Sequence, residues 1–279
     1  MDLYSIKTIK ELLKEHGMKP RKGLGQNFLV EKRVAAKASK AADLSLKDTV
    51  LEIGPGIGTL TRELAKEAKK VVAVEKDPAM VQILKETTRG LSNIEIIQAD
   101  ILSLTKLSYP RLNLVKDYKV VANLPYYITS PVIRMFLETI NKPGLMVFTI
   151  QKEVAQRICA QPPCMNLLAV SVQFYAKPKI ISLVRKSAFW PQPKVDSAIL
   201  KIVPRKGKSA VAPEKFFRVV KAGFKQPRKQ LVNNFVHGLK LSRQTVETWL
   251  NQVGIQPTQR AETLSLEDWI SLTKSLPET

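Results

Sequence analysis

Asn123-Leu124-Pro125-Tyr126 places an amide, a rigid imide ring and an aromatic side chain within four residues. It follows Lys119-Val120-Val121-Ala122, an apolar run that reads as a buried strand. At the C-terminal end of a strand, such a quartet can hold a flat base and orient its exocyclic amino group. An amino nitrogen such as N6 of adenine is a poor nucleophile, because its lone pair is delocalised into the ring. Acceptors on its two hydrogens favour pyramidalisation and release the lone pair. The side-chain oxygen of Asn123 and the carbonyl of Leu124 are the natural acceptors. Pro125 fixes the backbone, and Tyr126 can stack on the base, worth about 1–3 kcal/mol. Phe189, from Phe189-Trp190-Pro191-Gln192-Pro193, is the candidate for the opposite face, with core packing as its alternative. A base inside a duplex cannot reach such a pocket, so the target is unpaired or flipped. Alone, the quartet is equally compatible with a turn that ends a strand.

Glu52-Ile53-Gly54-Pro55-Gly56-Ile57-Gly58 supplies what the quartet lacks. A dinucleotide loop has the spacing Gly-x-Gly-x-x-Gly; here it is Gly54-x-Gly56-x-Gly58, with an acid two residues ahead. A pyrophosphate has little use for that carboxylate. S-adenosylmethionine, with an ammonium, a sulfonium and no phosphate, does. Glu75 ends the next strand, where such sheets present an acid to ribose hydroxyls. Asp100 ends the one after and can accept from an adenine amino group. Each acid alone reads as a solvated loop residue; three at successive strand ends read as a site, because ligands bind outside the carboxyl ends of such sheets. The methyl of a sulfonium is already activated, so positioning can supply most of the catalysis.

Charge supplies the partner class. The 279 residues include 45 Lys and Arg against 24 Asp and Glu, a net charge of +21. The excess is segregated: residues 48–104 carry a net of −2, residues 140–186 a net of +6 and residues 205–243 a net of +10. A solubility charge has no need to segregate, so the pattern points to a polyanion such as RNA. The two cysteines, Cys159 and Cys164, are too few for a disulfide framework, and with two distant histidines they give no metal-ligand spacing, so no metal is expected. No apolar run reaches membrane-spanning length and no apolar signal core opens the chain, so no membrane partner is expected and the location expected is cytoplasmic.

These residues need strands to carry them. Residues 5–16 predict an amphipathic helix with Ile6, Ile9, Leu12 and Leu13 on one face, and Thr8 and Glu11 as a capping box. A helix is expected over about 31–42. Strands are expected at 50–53, 71–75, 94–97, 119–122 and 145–151, with helices after the glycine loop to about 68 and over 78–89 and 131–139. That alternation predicts an α/β fold, a Rossmann-like methyltransferase sheet, mostly parallel with helices on both faces. Residues 180–184 and 197–202 predict an antiparallel pair at its edge. Pro204–Pro213 reads as a linker, followed by helices only. The expected domains are 1–204, the sheet domain with an N-terminal helical extension, and 205–279, a small helical RNA-binding domain.

Six motifs in order carry a family resemblance. They are Gly25-Gln26-Asn27-Phe28-Leu29, the Glu52–Gly58 loop, Asn123-Leu124-Pro125-Tyr126-Tyr127, Gln151-Lys152-Glu153-Val154-Ala155, Phe189-x-Pro191-x-Pro193-x-Val195-Asp196-Ser197 and Arg260-Ala261-Glu262-x-Leu264-Ser265. From about residue 19 onward the chain resembles the small-subunit ribosomal RNA adenine dimethyltransferases of the KsgA/RsmA type. The resemblance implies two methylations of N6 on each of two adjacent adenines in a hairpin loop of 16S rRNA. It implies S-adenosylmethionine as donor, a pre-ribosomal 30S-type particle as substrate, and action as a monomer. It also implies cofactor contacts at Gln26, Asn27 and Leu29, with Asn123 serving both sites and Phe189 lining the base site. Two departures stand out. Phe224-Lys225-Gln226 is followed by Pro227 where relatives have paired arginines, and Pro227 can open a helix. Cys164-Met165-Asn166-Leu167 replaces a Tyr-Gly that relatives carry after Arg157. Two alternatives remain beside the family reading. A large-subunit rRNA methyltransferase of the antibiotic-resistance type would typically carry Asn-Ile-Pro. A non-catalytic RNA-binding assembly factor could dispense with Asn123 or the glycine loop. A nucleotide-dependent oxidoreductase is disfavoured by the glycine spacing and the charge.

Overall fold

In a parallel sheet covered on both faces, strands are near-continuous apolar runs. Five of them form the centre of this fold. The structure is a computed structural model that describes residues 1–103, 114, 117–207 and 209–277. Strands β2 (Thr49–Ile53), β3 (Lys70–Glu75), β4 (Ile94–Gln98), β5 (Lys119–Asn123) and β6 (Leu145–Gln151) pair in parallel in the order β4-β3-β2-β5-β6. The chain runs outward from β2 through β3 to β4, then returns to place β5 on the other side of β2. That reversal is a topological switch point, where neighbouring connections diverge and leave a crevice beyond the strand ends.

Helices α2 (Lys32–Ala41) and α3 (Thr59–Glu67) cover one face, packing Val34, Ala35, Ala38, Leu60 and Leu64 on Val50, Val71, Val121 and Val147. Helix α4 (Pro78–Thr87) packs on β3 and β4, and α5 (Thr129–Glu138) follows β5. Helix α1 (Ile6–Glu15) closes a smaller cluster, in which Ile9, Leu12 and Leu13 meet Phe28, Ile57 of the glycine loop, Met80 and Ile83.

Several local expectations are corrected. Helix α1 is capped by Ser5, whose hydroxyl accepts from the N–H of Thr8, so Thr8 and Glu11 are not its capping box, and Ile6 is exposed. The pair expected at the edge of the sheet is found there: β9 (Ser197–Pro204) lies antiparallel to β6, and its neighbour β7 (Ala176–Val184) is the outermost strand. A two-stranded ribbon that the sequence reading lacks joins β1 (Phe28–Leu29) to β8 (Phe189–Trp190). No helix starts at Pro227. Residues 224–229 form turns, and the next helix begins at Leu231.

The chain forms two compact units, Met1–Ala155 with Pro178–Pro204, and Gln156–Lys177 with Arg205–Thr279. The second unit therefore contains Gln156–Lys177, which the sequence reading assigned to the sheet domain. The cause is apolar packing. Helix α7 (Leu167–Tyr175) places Ala169, Val170 and Phe174 in the helical core, and the Phe174 and Phe216 rings stack at 4.0 Å. The other helices there are α8 (Pro213–Gly223), α9 (Leu231–Leu239), α10 (Arg243–Gln252) and α11 (Leu266–Lys274), around the fully buried Trp249 and Trp269. Ser265 and Asp268 form a capping box on α11. Lys208, in the expected linker, lies outside the described residues.

Helices α8 and α9 meet at a glycine. A Cβ on Gly238 would lie 2.8 Å from Cβ of Ala222 and 3.0 Å from its backbone, neither of which can swing aside. Gly238→Ala should therefore destabilise the protein by about 1–3 kcal/mol, read as a lower denaturation midpoint. An unchanged midpoint would mean that the two helices separate without cost.

Candidate active site

Four strand ends converge at the switch point. The backbone after β2 turns through the glycine loop, β3 ends in Glu75, Asp100 lies two residues beyond β4, and β5 ends in Asn123. One cavity in the first unit is lined by nearly every residue that the sequence singles out. Glu52, Gly54, Gly56, Glu75 and Asp100 form one part of its wall. Asn123, Leu124, Pro125, Tyr126 and Phe189 form another, and Gln26, Asn27 and Leu29 complete it.

Gly58 is not among the residues that line the cavity, and it has a packing role. At φ +86° it precedes α3, and a Cβ would lie 3.0 Å from both Leu84 Cδ1 and Thr87 Oγ1. Gly25 is a close approach that sequence spacing did not reveal. A Cβ there would meet Cβ of Pro125 at 3.3 Å, so the 21–29 segment rests directly against the Asn123–Tyr126 turn.

The carboxylates differ in their surroundings. Glu52 is 1% exposed, and its Oε2 has no hydrogen-bond partner among the described residues, nor do the buried hydroxyls of Thr59 and Thr61. Burial pushes Glu52 up to about 8, and the Glu75 carboxylate adds to the rise. Glu75 is also raised by burial, against the pull of backbone N–H groups. Gly56 N–H donates to its Oε2 at 3.2 Å and Asp77 N–H to its Oε1 at 2.9 Å. Asp100 is held below its ordinary value by the Lys76 ammonium at 2.8 Å, while its Oδ1 accepts from Leu102 N–H at 3.0 Å. A buried carboxylate without a partner costs several kcal/mol when charged. A cationic ligand beside Glu52 offsets that cost. The donor set therefore fits a molecule with an ammonium, vicinal hydroxyls and an amino-bearing ring, which is the make-up of S-adenosylmethionine.

The base-holding quartet is held from behind. Asn123 Nδ2 donates to the carbonyl of Asn27 at 3.3 Å, which leaves its Oδ1 as the acceptor. Leu124 is anchored by its own N–H on the carbonyl of Thr149 at 3.2 Å, and Pro125 sits at φ −54°. The Tyr126 hydroxyl and Ser197 Oγ are 2.8 Å apart, and burial raises this phenol. Ser197 thus gives the Val195-Asp196-Ser197 motif a role that sequence alone missed. Asp196 Oδ1 accepts from Lys186 N–H at 2.9 Å and fixes the same loop. Phe189 is 4% exposed, so it contributes wall more than a free stacking face. Tyr127, not chosen from sequence, also lines the cavity and is 56% exposed. Gln26 spends its amide on protein: Oε1 accepts from Arg21 N–H at 2.8 Å and Nε2 donates to Asp77 at 3.1 Å.

The raised Glu52 has a consequence for stability. Its folded value, about 8, exceeds its ordinary 4.5, so the folded state keeps a proton that the unfolded chain loses between those values. Its contribution is neutral below about 4.5 and grows more unfavourable as pH rises to about 8. Glu52→Gln should remove this component, so denaturant titrations across that window should show the variant gaining on the parent. Parallel pH profiles would exclude a buried proton on Glu52.

Residues 17–278 match the family described as ribosomal RNA adenine dimethylase. A Dehalococcoides mccartyi protein named ribosomal RNA small subunit methyltransferase A is 47% identical over 262 residues, covering 93% of this chain and 89% of that protein. One of the same name from Geobacillus kaustophilus is 40% identical, covering 99% and 97%. Among solved structures, a dimethyladenosine transferase from Plasmodium falciparum aligns with a TM-score of 0.75 at 26% identity, covering 88% of this chain and 95% of that one. The 23S rRNA methyltransferase ErmE aligns at 0.74 and 27% identity, covering 90% and 100%. With the glycine loop, the acidic strand ends and the Asn-Leu-Pro-Tyr turn in one cavity, and with this similarity along almost the whole chain, the protein belongs to the ribosomal RNA adenine dimethylase family of methyltransferases.

Proposed function

We propose that this enzyme transfers methyl groups from S-adenosylmethionine to N6 of two adjacent adenines in a hairpin loop of small-subunit 16S rRNA, giving N6,N6-dimethyladenosine. The observation that carries the reading is the single cavity whose wall combines the acidic strand ends with Asn123–Tyr126. The small-subunit assignment rests on the two relatives named above, at 47% and 40% identity. The intended substrate is a pre-ribosomal 30S-type particle, met by a monomer in the cytoplasm. Among the described residues, no helix is long and apolar enough to cross a membrane.

S-adenosylmethionine, when bound, supplies a methyl group on a cationic sulfur leaving group. Glu52 offers its buried carboxylate to the ammonium, Glu75 offers its remaining lone pairs to the ribose hydroxyls, and Asp100 accepts from the adenine amino group. Gln26, Asn27 and Leu29 wall the same site. Gly54 and Gly56 give it a wall without side chains. For the target base, Asn123 Oδ1 and the Leu124 carbonyl accept the two N6 hydrogens and turn the lone pair toward the methyl. Pro125 holds that carbonyl in place. Tyr126, tethered through its hydroxyl, stacks on the ring with Phe189 behind. Catalysis by these residues is orientation and desolvation.

The helical unit is the proposed RNA grip. Its turn at residues 224–229 is organised by buried Asn234, whose Nδ2 donates to the carbonyls of Gly223 and Gln226 and whose Oδ1 accepts from Gln226 N–H at 3.2 Å. Lys225, Arg228 and Lys229 are all exposed around it. Despite Pro227, the charge stays clustered.

The direct test is labelled methyl transfer to unmethylated small subunits, large subunits and naked rRNA, with the modified base mapped. Label confined to adjacent adenines of the small subunit is expected; label on the large subunit alone would overturn the substrate. Asn123→Ala should lower the transfer rate about a hundredfold or more while RNA affinity changes little. Equal losses in both would remove the acceptor role. Replacing Lys225, Arg228 and Lys229 with Ala should weaken subunit binding and reduce the salt slope by about 2. An unchanged slope would move the grip elsewhere.

A further inference from the structure

A helix cap explains only half of Asp77. As N-cap of α4 it needs one oxygen, and Oδ1 accepts from Ala79 N–H at 3.2 Å. Serine, threonine or asparagine caps about as well. Yet Asp77 is 2% exposed, and its second oxygen is where the 21–26 segment is tied down. Oδ2 accepts from Gln26 Nε2 at 3.1 Å and lies 3.3 Å from the Arg21 guanidinium. Gln26 in turn accepts from Arg21 N–H, so the segment is closed on itself and held to the sheet at one atom. The backbone N–H of the same residue donates to Glu75 Oε1. One residue thus joins the N-terminal segment to the carboxylate that faces the cavity. An ionised oxygen receiving an amide and a guanidinium is the geometry that favours a carboxylate over a neutral cap.

We propose that Asp77 is a positioning residue that clamps the Arg21–Gln26 segment against Glu75 and so governs capture of the cofactor. This rests on the reading of Glu75 as the ribose acceptor. The clamp reaches the base site as well, because Gly25, next to Gln26, packs on Pro125 at the 3.3 Å approach described above. Seating the segment therefore completes both walls of the cavity at once.

Asp77→Asn tests the second oxygen alone. The amide oxygen keeps the cap on Ala79, and the new NH2 meets the NH2 of Gln26 and the guanidinium of Arg21, donor against donor. Cofactor affinity by calorimetry should fall about ten- to hundredfold, with KM for the cofactor rising and kcat at saturation nearly kept. Trypsin should cut after Arg21 faster. Arg21→Ala, at an exposed position, tests the contact from the loop side and should weaken binding a few-fold. Glu75→Ala separates this idea from the cofactor reading. If Glu75→Ala weakens binding and Asp77→Asn does not, the clamp is wrong and the reading stands. If Glu75→Ala also binds normally, the cofactor reading falls and the clamp with it. A defect in Asp77→Asn with no defect in Arg21→Ala and unchanged cleavage after Arg21 would reduce Asp77 to a local cap.

Discussion

Parallel pairing of β2 with β3 on one side and β5 on the other is the constraint on which the site depends. The register pairs Ile53 with Val74 and Glu52 with both Ala73 and Val121, so the three strands end at nearly the same level. The glycine loop, Glu75 and Asn123 are thereby brought together from positions up to about seventy residues apart. The strands hold this register because their side chains are buried on both faces, where a slip would strand apolar groups and unpaired amides. β2 has all five residues buried, and one of them is Glu52.

Among the described residues, Glu52 is the one buried acid with an oxygen that finds no partner. An apolar residue at 52 would pack at no cost, whereas Glu52 is buried with an orphaned oxygen beside two orphaned hydroxyls. The fold carries an electrostatic debt that a cation can settle. Glu75 is handled differently, with two backbone N–H groups donating to its carboxylate. Asp100, with a lysine beside it, stays ionised at the rim. Three acids of similar sequence context thus have three environments, and each suits a different part of one ligand.

In the helical unit the recurring motifs are largely structural. In Arg260–Ser265, Ala261 and Leu264 are buried, Glu262 accepts at its carbonyl from Met165 N–H at 2.9 Å, and Ser265 caps α11. The segment that departs from the family pattern, Cys164–Leu167, makes that contact and contributes Met165 to the core. Asn166 caps α7 by accepting from Ala169 N–H at 3.0 Å. The replacement is thus absorbed by packing and capping within this unit.

Much of the sheet was legible in the sequence, because period and composition report burial: β2, β3, β5 and β6 are apolar runs bounded by glycine, proline and acids, and the acids at their ends mark the crevice. The motif order identified the family because several motifs, such as the glycine loop and Asn123–Tyr126, sit at strand ends where the backbone tolerates few residues. What the sequence could not determine were contacts between distant segments. Nothing local says that Phe28-Leu29 pairs with Phe189-Trp190 or that Gln156–Lys177 joins the C-terminal helices. The packing of Gly58 on Leu84 was not legible, because a loop glycine facing a ligand and one facing Leu84 have the same neighbours in sequence. Asp77 and Ser197 were passed over because their importance lies in which atoms they meet across more than fifty residues. Local pattern sets which residues are buried and which end a strand; only the tertiary structure decides which buried polar atom finds a partner and which is left for a ligand.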